Sequence, residues 1–152
     1  MQHLSSLDAI FLEAETPSTP MNVLGTLVLD VRGRSDLGYE SILQRFEERL
    51  PQLAPFRKRL VEAPFGLDQP TWMEVSDLDV RDHVMRLRAA GQPDELETLV
   101  ARIAEIPLDR SKPLWEVWVI EGLGDDRMAI VTKAHHAVID GVSGAALLLQ
   151  LF

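Results

Sequence analysis

Two adjacent imidazoles, His135 and His136, with Asp140 and Gly141 following at the fourth and fifth positions after the second, are the residues of this chain best equipped for chemistry. A histidine titrates close to neutrality and can take a proton from an alcohol as its oxygen attacks a carbonyl. The pair sits where a β-branched run, 127–135, gives way to a glycine-containing segment, so a strand ends and a helix begins there. If strand alternation persists, His136 shares a face with Ile130, Thr132 and Ala134, and His135 faces the other way. Only one of the two rings then enters a given site. The same residues admit plainer readings: a structural histidine pair, Asp140 as an N-cap, Gly141 as a turn residue. A metal site built from His135, His136 and Asp140 is not expected, because adjacent strand histidines point apart and no further ligand cluster is visible.

The rest of the inventory narrows the chemistry. There is no cysteine, which excludes a thiol acyl-enzyme, disulfides and cysteine-ligated zinc, and suits a cytoplasmic home. Gly141-Val142-Ser143-Gly144 lacks the Gly-x-Ser-x-Gly elbow that exposes a serine nucleophile. Direct transfer from a thioester donor to a bound alcohol, with histidine as base, remains open. A net charge of −9 makes nucleic acid a poor partner and argues weakly against charge-driven docking on anionic lipid. No run approaches the ~20 apolar residues of a spanning helix, and the start lacks a signal-peptide core.

The elements that must position the histidines can be read from periodicity. At 152 residues, 46% of them apolar, the chain suffices for one domain with a real core. After a mixed opening segment, 22–31 reads as a buried strand. Tyr39, Ile42, Leu43, Phe46 and Leu50 then form one face of a helix closed by Pro51. Two short strands follow around Arg59 and Trp72, and 79–90 reads equally as strand or helix. A helix after Pro93 carries Leu96, Leu99, Val100 and Ile103, with capping-box spacing at Asp94 and Glu97. Strands at 114–120 and 127–135 meet through a Gly-Leu-Gly-Asp-Asp turn. The order implies an α/β domain, a mixed sheet covered by helices. The last segment, 141–152, is apolar on every side as a helix and expects covering protein; we read the chain as one part of a longer protein.

His136-x-x-x-Asp140-Gly141 resembles the His-x-x-x-Asp-Gly signature of the acyl-CoA-dependent acyltransferase superfamily, which includes chloramphenicol acetyltransferase. Two further blocks are similar to bacterial wax ester synthase/diacylglycerol acyltransferases. One is Pro107-Leu108-Asp109-Arg110-Ser111-Lys112-Pro113-Leu114-Trp115-Glu116; the other is Leu4-Ser5-Ser6-Leu7-Asp8-Ala9 with Phe11-Leu12 and Pro20-Met21. Lys112 stands where arginine is usual, Ser6 where proline is common and Asn22 where histidine often occurs.

The resemblance implies a two-layer mixed sheet with helices, a chloramphenicol acetyltransferase-like N-terminal half-domain over residues 1–152, its C-terminal partner half lying outside this chain. It implies His136 as general base, His135 as its less essential neighbour, Asp140 as a loop-holding salt-bridge residue and Gly141 as space at the substrate channel. Pro113, Leu114 and Trp115 would shape or support the site, or simply pack the core. A long-chain acyl-CoA would donate its acyl group to diacylglycerol or a fatty alcohol, with no cofactor beyond that co-substrate. The isolated segment would then have little activity, and the apolar opening segment could contact a membrane or lipid droplet or pack within the protein. Arg57-Lys58-Arg59 and Arg86/Arg88 could meet coenzyme A phosphates or be solvated surface; His3 and His83 have no supporting context. Three other readings stay open. One is His135-x-x-x-x-Asp140, the pattern of membrane glycerolipid acyltransferases. The others are a carrier-protein-dependent condensation-type domain and a non-catalytic acyl-CoA- or lipid-binding module.

Overall fold

The computed structural model describes residues 2–63 and 68–138. The expected final helix, Asp140, Gly141 and the Pro/Gly turn around residue 66 lie outside them. The order is β1 (Gln2–His3), α1 (Ser6–Ala14), β2 (Asn22–Asp30), α2 (Tyr39–Arg49), β3 (Lys58–Val61), β4 (Thr71–Glu74), β5 (Val84–Arg88), α3 (Glu95–Glu105), β6 (Trp115–Leu123) and β7 (Arg127–His135). The main sheet runs β2-β7-β6-β5, antiparallel except for the parallel β5–β6 pair. A small antiparallel sheet runs β1-β4-β3. The mixed-sheet α/β architecture is the one expected.

Strand β7 has a strand on either side and buries apolar residues on both faces. Met128, Ile130 and Ala134 pack with Ile42, Leu43 and Phe46 of α2 and with Trp115, Val117 and Val119 of β6. Ala129 and Val131 pack on the opposite face with Ile103 of α3 and Ile120 of β6. A third core joins α1 (Ala9, Leu12) and the small sheet (Leu60, Trp72) to Leu108, Leu114 and Ala137. That core lies directly under the histidine segment.

Two expectations need correction, at β2 and at Asp94, and two segments that the sequence left open take definite form. Strand β2 is an edge, not a buried strand: Leu27 and Val28 are 41% and 44% exposed because β2 pairs only with β7. The opening segment is a helix, started by a capping box in which the Ser5 hydroxyl accepts the Asp8 N–H and the Asp8 carboxylate accepts the Ser5 N–H. Residues 79–90 split into a 3-10 turn, Val80–Asp82, and the strand β5. The cap expected at Asp94 and Glu97 does not form. Asp94 adopts a left-handed φ of 57°, and Glu95 instead accepts the N–H groups of Ala90 and Gln92. The β6–β7 hairpin closes as anticipated, with Asp125 and Asp126 both left-handed in its turn. Just before it, Gly122 at φ +81° is irreplaceable, since a Cβ there would meet the Ala89 carbonyl at 2.8 Å.

Trp115 is the hub of the larger core. Its ring stacks on Phe46 and on His83 and meets Phe56 edge-on, while its indole N–H donates to the Phe56 carbonyl at 2.8 Å. Removing it deletes apolar contact and strands that carbonyl. Trp115→Ala should cost about 3–5 kcal/mol of stability, measured as a lowered denaturant midpoint of the intact protein; a cost near zero would show that the ring is not the packing centre.

Candidate active site

The end of β7 is clamped on both sides. The His135 N–H donates to the Leu114 carbonyl at 3.0 Å, and the His136 N–H to the Met21 carbonyl at 2.8 Å. The chain then turns: Val138 N–H bonds back to the His135 carbonyl at 2.9 Å, and Ala137 N–H donates to His135 Nδ1 at 3.0 Å. His135 is thus the last strand residue and the internal strut of the turn that carries His136.

The two imidazoles occupy different environments. His135 has 0% exposure and lies on the α3 side of β7. Its Nε2 is 3.5 Å from Oε1 of Glu15, just after α1. Burial pushes the His135 pKa down, with the Glu15 charge pulling the other way and Arg110 and His136 adding to the fall. Glu15 is itself held firmly. Arg110 donates to its Oε2 through Nη2 at 2.8 Å and Nε at 3.2 Å, and Met21 N–H donates to Oε1 at 3.2 Å. Burial works to raise the Glu15 pKa, but these donors and His135 hold it below the ordinary carboxylate value. Arg110 also caps the end of α1 by donating to the Leu12 carbonyl at 2.7 Å.

His136 is half-buried, and its ring stacks on Phe11 of α1, centroids 4.7 Å apart. Next to it, Ala137 and Val138 line a cavity of about 200 Å³ with Asp8, Pro55, Lys58 and Trp72. The His136 ring keeps part of its surface open to solvent, although it does not itself line that recess. The ring of His135 is enclosed.

The motif residues divide by role. Leu114 supplies the carbonyl that pins His135 and packs against Ala137, while Trp115 anchors the core; Pro113 is buried and bridges to Arg59 of β3. The structure therefore brings Leu114 to the histidines directly and Trp115 only through packing. His83 is a core histidine, buried, stacked on Trp115 and bonded through Nδ1 to its carbonyl at 2.8 Å. Of the basic clusters, Arg57 pairs with Glu74, and Arg86 pairs with Glu121 over the Tyr39 ring. Among the described residues no group of three or more His, Asp or Glu side chains could hold a metal ion.

Sequence reasoning missed Glu15 and Lys133, and quoted Phe11 and Arg110 only within the two family blocks, without a role. Lys133 is fully buried two residues before His135; its Nζ donates to the carbonyls of Ile103 and Ile106 at the end of α3 and lies 3.7 Å from Glu116 Oε2. Burial lowers its pKa, with Glu116 opposing. Its one sequence signal is a charge late in a strand whose residues 128–131 are all apolar. Glu15 and Arg110 stand 95 residues apart, so the motif that contains Arg110 gives no sign of its partner.

The mixed-sheet fold is shared with condensation domains. The first condensation domain of the calcium-dependent antibiotic synthetase superposes with a TM-score of 0.77 over 99% of this chain and 36% of its own, at 19% identity, a likeness of fold alone. Sequence narrows the class. The wax ester synthase/diacylglycerol acyltransferase catalytic domain matches residues 4–152, and the chain belongs to that family. It is 42% identical over 146 residues to "Probable diacyglycerol O-acyltransferase tgs3" of Mycobacterium tuberculosis, covering 95% of this chain and 54% of that protein. The wax ester synthase/diacylglycerol acyltransferase of Marinobacter aquaeolei VT8 is 31% identical, with a TM-score of 0.80, over 99% of this chain and 36% of that one. The chain thus spans about half or less of these relatives. No helix among the described residues is long and apolar enough to cross a membrane.

The buried histidines set a pH dependence. His83 and His135 both have lowered values when folded, chiefly through burial, so the unfolded chain binds more protons below an unfolded-histidine value of about 6.5. Their contribution is present above that pH and lost as pH falls. Denaturant midpoints should decline between about pH 6.5 and 5, before carboxylates titrate; a midpoint that rises over that interval would contradict the buried, neutral assignment.

Proposed function

We propose that this chain supplies the catalytic histidine of an acyl-CoA-dependent O-acyltransferase, with His136 as general base. The observation that carries this reading is the division of the histidine pair: His135 wholly enclosed and bonded to its own turn, His136 half-open against Phe11. The acceptor hydroxyl loses its proton to the His136 imidazole as its oxygen attacks the thioester carbonyl. The tetrahedral adduct then collapses, the coenzyme A sulfur leaves, and the imidazolium returns the proton to it. No acyl-enzyme is required.

Membership of the family supports a long-chain acyl-CoA donor and diacylglycerol or a fatty alcohol as acceptor. Asp140 and Gly141 enter this reading only through the motif they share with the family. The relatives' greater length supports a second half that completes the substrate site, so residues 1–152 alone should turn over little acyl-CoA. Leu7 and Ile10, three residues apart on α1 and 56% and 58% exposed, offer apolar area for peripheral contact with an insoluble lipid phase. The parse that makes His135 the base is not favoured by a ring with no exposure.

Alanine substitution in the intact protein tests the assignment. His136→Ala should lower the rate of ester formation from labelled acyl-CoA by about 10²–10⁴-fold with the fold intact. His135→Ala should cost less in rate and more in stability. Normal turnover by His136→Ala would sink the reading, as would a pair of variants in which only His135 mattered.

A further inference from the structure

Resting on that reading of His136, we propose that Glu15, held by Arg110, is a positioning residue that fixes the Nε2–H tautomer of His135 and thereby sets the turn presenting His136. A neutral imidazole has one donor nitrogen and one acceptor. The Ala137 N–H can only donate, so Nδ1 of His135, 3.0 Å away, must be the acceptor and the ring proton sits on Nε2. That nitrogen is fully buried, makes no geometrically good hydrogen bond, and has the Glu15 carboxylate 3.5 Å away. The other tautomer would set two N–H groups against each other and turn a lone pair towards a carboxylate. Both changes are unfavourable in a buried site.

The contacts form a closed circuit. Glu15 Oε1 accepts the Met21 N–H, and the Met21 carbonyl accepts the His136 N–H. The next residue, Ala137, donates to His135, whose Nε2 faces Glu15 again. Arg110 grips the other carboxylate oxygen through two nitrogens, so the acid cannot swing away. Each charged or titratable neighbour of His135 has a place in this circuit or beside it. Glu15 follows α1, Arg110 lies in the 107–116 motif, His136 is next in sequence, and Lys133 shares the same face of β7 with its Nζ committed to α3 carbonyls and Glu116. Asn22, opposite His135 on β2, has an amide that bonds to none of them.

The test uses the intact protein with 15N-labelled histidine, the His135 signals being assigned by their loss in His135→Ala. Long-range proton–nitrogen spectra should show His135 as the Nε2–H form, and Glu15→Ala, which leaves only the Ala137 N–H to favour that form, should admit the Nδ1–H form as the Ala137 turn opens. In the same variant kcat should fall about ten- to a hundred-fold, with KM for acyl-CoA within a factor of about two. If Glu15→Ala does not fold, Glu15→Met reads the same spectral shift, since it removes both charge and acceptor at similar size. An unchanged His135 spectrum in a folded Glu15 variant overturns the inference while leaving His136 as base. Normal turnover by His136→Ala overturns the functional reading and leaves the tautomer result standing.

Discussion

A backbone N–H, that of Ala137, points into the ring of the histidine two residues before it, and the placement of the site follows from that bond. Adjacent residues on a strand face opposite ways, so two consecutive histidines cannot both serve one cleft. Here the first is consumed as scaffold. Its Nδ1 accepts the turn, its backbone N–H is tied to Leu114, and its ring is sealed between strand and acid. The second is thereby delivered to the rim, against Phe11. One imidazole becomes structure so that its neighbour can face a ligand.

That arrangement depends on distant parts of the chain arriving together. Helix α1, started by the Ser5–Asp8 capping box, brings Phe11 and Glu15 to the two histidines one helical turn apart. The motif loop brings Arg110 to Glu15 and Leu114 to His135. Lys133 ties the end of α3 to the middle of β7 with a buried charge, an arrangement costly to form and more costly to break once formed. The core beneath, from Leu4 to Ala137, is the apolar floor on which these polar groups are held.

How much of this was legible beforehand varied with the range of the interaction. Helix α2 and the β6–β7 hairpin were readable because their signals are local: a 3.6-residue stripe of Ile42, Leu43 and Phe46, and apolar runs flanking a Gly/Asp turn. Alternation separated His135 from His136, but it did not foresee that one ring would be enclosed, the other half-open, and both set against α1 and the residue after it. Strand β2 misled, since Leu27 and Val28 are apolar yet lie at a sheet edge, and edge position is a property of topology. Helix α1 carried a readable cap at Ser5 and Asp8 that its apolar run obscured. The expected cap at Asp94 failed because Glu95 satisfied nearby backbone groups instead. The Glu15–Arg110 pair had no local signature; only the fold reveals why those residue types stand where they do.

Chemical reactivity of the two rings bears most directly on the division between them. With diethyl pyrocarbonate acting on the native intact protein, and modified peptides read by mass spectrometry, His136 should be acylated and a long-chain acyl-CoA should protect it, while His135 stays unmodified until the chain is unfolded. Modification of His135 ahead of His136 in the native state, or a His136 indifferent to the acyl-CoA, would contradict the account.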